Sequence, residues 1–258
     1  MFMKINLGLK CLGENRGLNM IDSESKILQQ YYSKTAHDYD ALHVSIDEKD
    51  EHFLALAFMV AASGLLGIKS ILDIGSGTGR AIKYVKQHAP DILIVGIEPV
   101  EELRSIGYQK GIAEEELIEG DATNLAYSDA SFDLVCAFGV LHHIKYPELA
   151  VSEMLRVAKK GIFISDSNNF GQGSVLSRTV KQIINEVGLW KVADFIKTLG
   201  KGYTLSEGDG LAYSYSVFNN YNQIQKACNN IHILNTKTGS ANLYRTASHI
   251  GLLGIKNE

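Results

Sequence analysis

The sequence predicts an α/β protein built on a doubly wound, mostly parallel sheet, and three observations predict it. Short apolar runs alternate with helix-length segments through the middle of the 258-residue chain, the pattern of βαβ units with right-handed crossovers. One run, Ile92 to Ile97 (ILIVGI), is continuous and β-branched, as expected of a strand buried on both faces. The stretch LDIGSGTGR, Leu72 to Arg80, puts three glycines in five positions directly behind another such run, so that backbone can approach a ligand closely.

Taken in order, residues 1–20 are rich in Gly, Asn and Leu without clear period and predict a loose arm. A helix start follows at Asp22-Ser23-Glu24-Ser25. Glu24 to Asp40, with KILQQYYSKTAHDYD from Lys26 on, reads as an aromatic-rich helix, and Glu48 to Leu65 as a second one. Together residues 1–66 form an expected N-terminal arm and helical flap. The core, 67–167, then runs strand Lys69–Ile74, helix Thr78–His88, strand Ile92–Ile97, helix Val100–Gln109, strand Glu116–Glu119, strand Phe132–Phe138, helix Pro147–Val157 and strand Gly161–Ser165. Residues 168–218 are an insertion with a helix over Leu176–Leu199, interrupted near Gly188. A turn, Gly208-Asp209-Gly210, precedes the alternating LAYSYSVF. Residues 219–258 return to the core with a helix, Tyr221–Asn229, and strands Ile231–Asn235 and His249–Ile255.

Composition bounds the function. Apolar residues make up 45% and charged residues 21%, ordinary for a soluble globular chain. The net charge of −4 provides no global field toward nucleic acid or an anionic membrane, so neither partner is expected. The longest apolar candidate, Phe53–Leu66, is interrupted by Ser63 and Gly64 and is too short to span a bilayer. Cys11, Cys136 and Cys228 are odd in number and widely spaced, which fits neither a zinc site nor a disulfide framework and suggests a reducing cytoplasm.

The glycine loop narrows the ligand. A Walker A loop needs Lys and Ser/Thr after its last glycine, where this chain has Arg80 and Ala81. The dinucleotide fingerprint G-x-G-x-x-G fails at its third glycine, because Gly75, Gly77 and Gly79 read G-x-G-x-G. Asp73, at the end of the strand, repels a pyrophosphate and attracts the ammonium of a bound amino acid, which S-adenosylmethionine carries. Glu98, in GIEP at the end of the second strand, can accept two ribose hydroxyls. Asp121 and Ala122 end the third strand, where a carboxylate and a backbone N–H can read the edge of adenine. Phe138-Gly139 ends the fourth, an aromatic face and a carbonyl suited to a sulfonium.

In this order, LDIGSGTG, GIEP, EGDATNLAYSDASFDLV, GVLHHI and LRVAKKGIFISD resemble the class I S-adenosylmethionine-dependent methyltransferases, in particular their small-molecule branch. The resemblance covers residues 27 to 166 and the last two strands. It implies a Rossmann-like seven-stranded sheet, mostly parallel with an antiparallel edge strand. It also implies S-adenosylmethionine across the carboxyl ends of strands one to four. Asp73, Gly75, Gly77, Glu98, Asp121, Ala122 and Phe138 match cofactor positions, with Ser76, Pro99 and Gly139 beside them. Tyr32 or Tyr39 matches the family's flap tyrosine that closes over the cofactor.

Methyl transfer is an in-line displacement, and an oxygen acceptor is helped by a base near neutral pH. His142 and His143 follow strand four; His142 is the first candidate, and shaping of the loop is the bland alternative. No metal is expected, since Asp166-Ser167-Asn168-Asn169 lacks a carboxylate partner in Cys136-Ala137-Phe138. The insertion predicts a lid in which Arg178, Tyr203, Tyr213 and Tyr215 meet a polar, sugar-containing or phosphorylated acceptor, with Lys181, Lys197 and Lys201 nearby. The expected activity is O-methylation of a small metabolite by a cytoplasmic monomer or homodimer. The alternatives are N- or C-methylation and a non-catalytic S-adenosylmethionine-binding protein.

Overall fold

The computed structural model describes residues 23–43, 50–237 and 241–256; the expected loose arm over residues 1–20, with Cys11, and the expected helix start at Glu48 lie outside the described residues. Helix α1 (Ser23–Thr35) passes through one 3₁₀ turn into the short α2 (Tyr39–His43). Helix α3 (Glu51–Leu65) starts at Asp50, whose carboxylate accepts from the His52 amide at 2.8 Å and so satisfies a free donor of the first turn.

The alternating segment follows as β1 (Ser70–Ile74), α4 (Arg80–His88), β2 (Leu93–Ile97), α5 (Glu101–Gln109), β3 (Leu117–Ile118), β4 (Phe132–Phe138), α6 (Pro147–Val157) and β5 (Ala158–Ser167). Proline at the first position of α6 costs no hydrogen bond there. The insertion holds α7 (Val175–Glu186), α8 (Trp190–Lys197) and a hairpin of β6 (Tyr203–Ser206) and β7 (Gly210–Tyr213). Gly188, at φ 74°, lies in the break between the two helices, and a side chain would strain that left-handed position. Strand β6 was not expected: only its partner shows alternation. The chain closes with α9 (Tyr221–Ala227), β8 (Asn230–Asn235) and β9 (His249–Ile255).

The seven-stranded sheet has the order β3-β2-β1-β4-β5-β9-β8. Strands β1 to β5 are parallel, and β9 runs antiparallel between β5 and the edge strand β8. The two-residue period of each strand divides the core. Leu72, Ile74, Val135, Ala137, Ile162 and Ile164 pack with α6 and α9 on one face. Ile71, Leu134, Cys136 and Phe163 pack with Leu56 and Met59 of α3 and with Ile82 and Val85 of α4 on the other. Phe163 is fully buried, and truncating it to Ala costs about 3–5 kcal/mol. The strand order reverses at β1, with β2 and β3 added on one side and β4 and β5 on the other, which opens the crevice at the carboxyl ends of the strands.

Candidate functional site

At the head of that crevice, Gly75, Gly77 and Gly79 have φ of 63°, 56° and 84°, a run of left-handed backbone that only glycine adopts without strain. A Cβ at Gly75 would lie 2.5 Å from the Val140 side chain, and one at Gly77 would lie 2.6 Å from the Tyr39 hydroxyl. The loop is a cradle that side chains would fill.

Two buried carboxylates face it. Asp73 accepts from Ser76 Oγ at 2.5 Å and from Cys136 Sγ at 3.5 Å; burial pushes its carboxyl up to about 6 against those bonds. Glu98 follows β2 and accepts from the Val100 and Gly77 amides, both at 3.0 Å, while burial pushes it up to about 7. Glu98 thus ties strand two to the glycine loop. Phe138 closes the floor edge-on to the His52 ring at 6.3 Å, with Gly139 against His52 Nε2. Tyr39 of α2 and Tyr32 of α1 lie over this crevice with rings 5.8 Å apart, so the N-terminal helices fold onto the loop.

The adenine-reading pair sits differently. Strand β3 stops at Ile118, and Asp121, exposed in the turn beyond, accepts at 2.8 Å from both the amide and the hydroxyl of Thr123. Ala122 packs on the core and Pro99 is exposed.

Beside the crevice opens a cavity of about 680 Å³ between the sheet, the flap and the insertion. Its wall is polar: His52, Arg80, His142, Asn169, Asp209 and Ser214 all line it. Tyr203, Tyr213 and Tyr215 line it as well, though the Tyr215 hydroxyl donates inward to Asn220 at 2.9 Å. Arg178 does not line the cavity, contrary to expectation; it lies half-buried on α7, and Lys197 of α8 supplies a cation there instead. The sequence predicts a helix here but not which side of it faces inward.

The histidine pair forms the centre. His142 Nδ1 lies 2.7 Å from Asp166 Oδ1, and its Nε2 lies 3.4 Å from Asp209 Oδ2. Burial opposes a charge on the ring, but the two carboxylates outweigh it and raise His142 to about 10. Asp166, fully buried at the end of β5, is held at about 2: burial favours the neutral acid, and the His142 charge and hydrogen bond prevail. Asp209, at the tip of the β6–β7 hairpin, is likewise held well below the carboxylate range against its burial, chiefly by the hydrogen bond to His142. His143 differs. Its Nδ1 lies 2.7 Å from the Leu211 carbonyl, which can only accept, so Nε2 accepts from the Tyr32 hydroxyl at 3.0 Å. Burial and the His142 charge hold His143 neutral.

Adjacent histidines therefore take opposite protonation states. His142, His143 and Asp209 also offer one ligand atom each within 4.8 Å of one another, a set that could accept a divalent cation. Motif and spacing did not single out Asp166 as a partner of His142, Asp209 as an acid over the cavity, or His52. Asp166 was the legible one, because it ends a strand adjacent in the sheet to the strand before His142.

Residues 72–165 match the methyltransferase domain family. The chain is 39% identical over 97 residues to a demethylmenaquinone methyltransferase of Deinococcus radiodurans, covering 36% of this chain and 40% of that one. A norajmaline N-methyltransferase of Rauvolfia serpentina is 36% identical over 36% of this chain and 33% of its own. The chain thus spans less than half the length of these relatives. In fold it is similar to an S-adenosylmethionine-dependent methyltransferase of Thermotoga maritima described as a possible histamine N-methyltransferase. The TM-score is 0.56, at 19% identity, over 89% of this chain and 100% of that one. Among the described residues, no helix is long and apolar enough to cross a membrane.

Proposed function

We propose that this chain, whose core is a class I S-adenosylmethionine-dependent methyltransferase domain, methylates a hydroxyl oxygen of a small polar acceptor, sugar-containing or phosphorylated. S-adenosylmethionine, when bound, supplies an electrophilic methyl group on sulfur. The left-handed glycine cradle and the buried Asp73 and Glu98 carboxylates support this reading: Glu98 would take the ribose hydroxyls and Asp73 the ammonium. Phe138 offers an aromatic edge at the floor.

The observation that carries the reading is the His142–Asp166 pair opening onto the polar cavity. Asp166 fixes the tautomer by taking Nδ1–H, which leaves Nε2 to the cavity. The acceptor hydroxyl replaces Asp209 opposite Nε2 and gives its proton there as oxygen takes the methyl; the products are a methyl ether, S-adenosylhomocysteine and protonated His142. Release of Asp209 removes one of the two carboxylates that raise His142, so the Nε2 proton passes to solvent and the neutral ring meets the acceptor hydroxyl as a base. Lys197 and Arg80 at the wall suit an anionic substituent.

The test is incubation with methyl-¹³C-labelled S-adenosylmethionine and a panel of sugars, nucleotide sugars and phosphorylated alcohols, read by NMR. An O-methyl signal supports the reading. Labelling only of a ring carbon in a quinol panel, the chemistry in the names of several relatives, would replace it.

A further inference from the structure

The insertion carries a helix whose polarity is reversed. Along α7 the residues turned to the body are Arg178, Lys181, Gln182 and Asn185, one face at helical spacing. They hold the helix by polar bonds: Lys181 to the Asn169 and Gln172 carbonyls, Gln182 to those of Phe170 and Arg245, and Asn185 to the Tyr244 hydroxyl. The apolar stripe, Leu176, Val180, Ile183 and Val187, faces solvent, with Leu176 74% and Ile183 55% exposed. Helix α8 repeats the arrangement. Asp194 and Thr198 face the cavity, while Val192, Phe195 and Ile196 are 55%, 60% and 68% exposed. Leu189 and Leu199, at the two ends of α8, are exposed as well, and a soluble chain rarely leaves so many large apolar side chains of two neighbouring helices uncovered.

Charge decides what covers it. Residues 175–201 hold five cations, Arg178, Lys181, Lys191, Lys197 and Lys201, against Glu186 and Asp194, within a chain of net charge −4. Glu186 is itself 3.5 Å from Arg245, and Asp194 faces inward. Of the cations, Lys191, Lys197 and Lys201 are exposed, and a second copy docked about a two-fold axis would set them against their own kind. Residues 1–22, with Lys4, Lys10 and Arg16 against Glu14 and Asp22, have the same sign and are no complement. An apolar helical face rimmed by lysines matches the boundary layer of an anionic bilayer.

We propose that the outer face of α7 and α8 docks this protein onto anionic lipid membranes, lying in the interface rather than spanning it. The whole-chain charge conceals this local patch. The cavity wall and the docking face share α8, so a membrane-bound lid holds the acceptor site beside the lipid surface. The inference is independent of the acceptor's identity and of methyl transfer.

The experiment is flotation of the full chain with phosphatidylcholine vesicles, with and without phosphatidylglycerol. Two variant sets are compared, V180S/I183S/I196S and K191E/K201E, each checked for native circular dichroism. Binding to anionic vesicles is expected to exceed that to neutral ones by roughly tenfold or more, to fall by a similar factor in both sets, and to weaken with salt. Absence of flotation, equal binding to both lipids, or loss of binding in K4E/K10E but not in the lid variants overturns the proposal. So does a dimer by light scattering that V180S/I183S/I196S dissolves without any vesicle binding in the parent chain.

Discussion

Asp209 reaches from the tip of the β6–β7 hairpin to within 3.4 Å of His142 Nε2, the ring nitrogen opposite the one that Asp166 holds at 2.7 Å. One histidine is thus clamped between a carboxylate of the rigid sheet and one of the insertion. The first can only orient the ring; the second can leave with the hairpin. That difference makes the clamp testable.

The rate should follow the His142 proton. With the ring raised to about 10 against its burial, kcat/KM should climb with pH on the alkaline side, and D209N should move that limb down by about one unit. Profiles of parent and variant that superimpose would remove Asp209 from the proton balance.

Replacing the base should cost rate and leave cofactor binding intact. H142Q should lower kcat by roughly 10²–10⁴, with S-adenosylhomocysteine affinity within about twofold of the parent. D166N should lower kcat as well, through a misoriented ring. An equal loss of affinity would mean that His142 only shapes the loop.

The same pair sets a stability window. The folded pKa of His142 is raised above its ordinary 6.5, so its contribution is complete below about pH 6.5 and is lost as pH rises through about 10. Asp166 is lowered, so its contribution is present above its ordinary 3.8 and is lost as pH falls toward 2. Urea midpoints of the parent should therefore fall between pH 7 and 10 more steeply than those of H142Q.

At the nucleoside end, E98A should weaken S-adenosylhomocysteine binding by about 2 kcal/mol, the cost of a lost charge-assisted pair of hydrogen bonds. Because burial raises Glu98 to about 7, affinity in the parent should fall as pH drops below 7, and E98Q should abolish that dependence. G77A should bind poorly too, since Gly77 sits at φ 56° under the Tyr39 hydroxyl.

Dialysis against a chelator should leave the rate unchanged if the His142, His143 and Asp209 trio works by proton transfer. Loss of rate restored by one divalent ion would make the trio a metal centre and His142 a ligand.

Much of the frame was legible because local patterns dictated it. Phe132–Phe138, Pro147–Val157 and His249–Ile255 are bounded by their own apolar periods, and the structure ends them at the expected residues. The glycine loop declared its left-handed backbone directly. The insertion was less readable, since long-range choices govern it: α7 turns Gln182 inward and Ile183 outward, which periodicity alone does not decide. Asp209 looked like turn chemistry, and only the pairing of β7 with a β6 that shows no alternation of its own carries it over the histidines. Asp121 lies in the turn three residues beyond the end of β3, where its carboxylate accepts from Thr123.

The most direct test is calorimetric titration of the full chain with S-adenosylhomocysteine, with NADH as the control. Binding of S-adenosylhomocysteine in the micromolar range, with none of NADH, is the predicted result and identifies the crevice ligand. A folded protein that gives no heat with S-adenosylhomocysteine would contradict the account at its base.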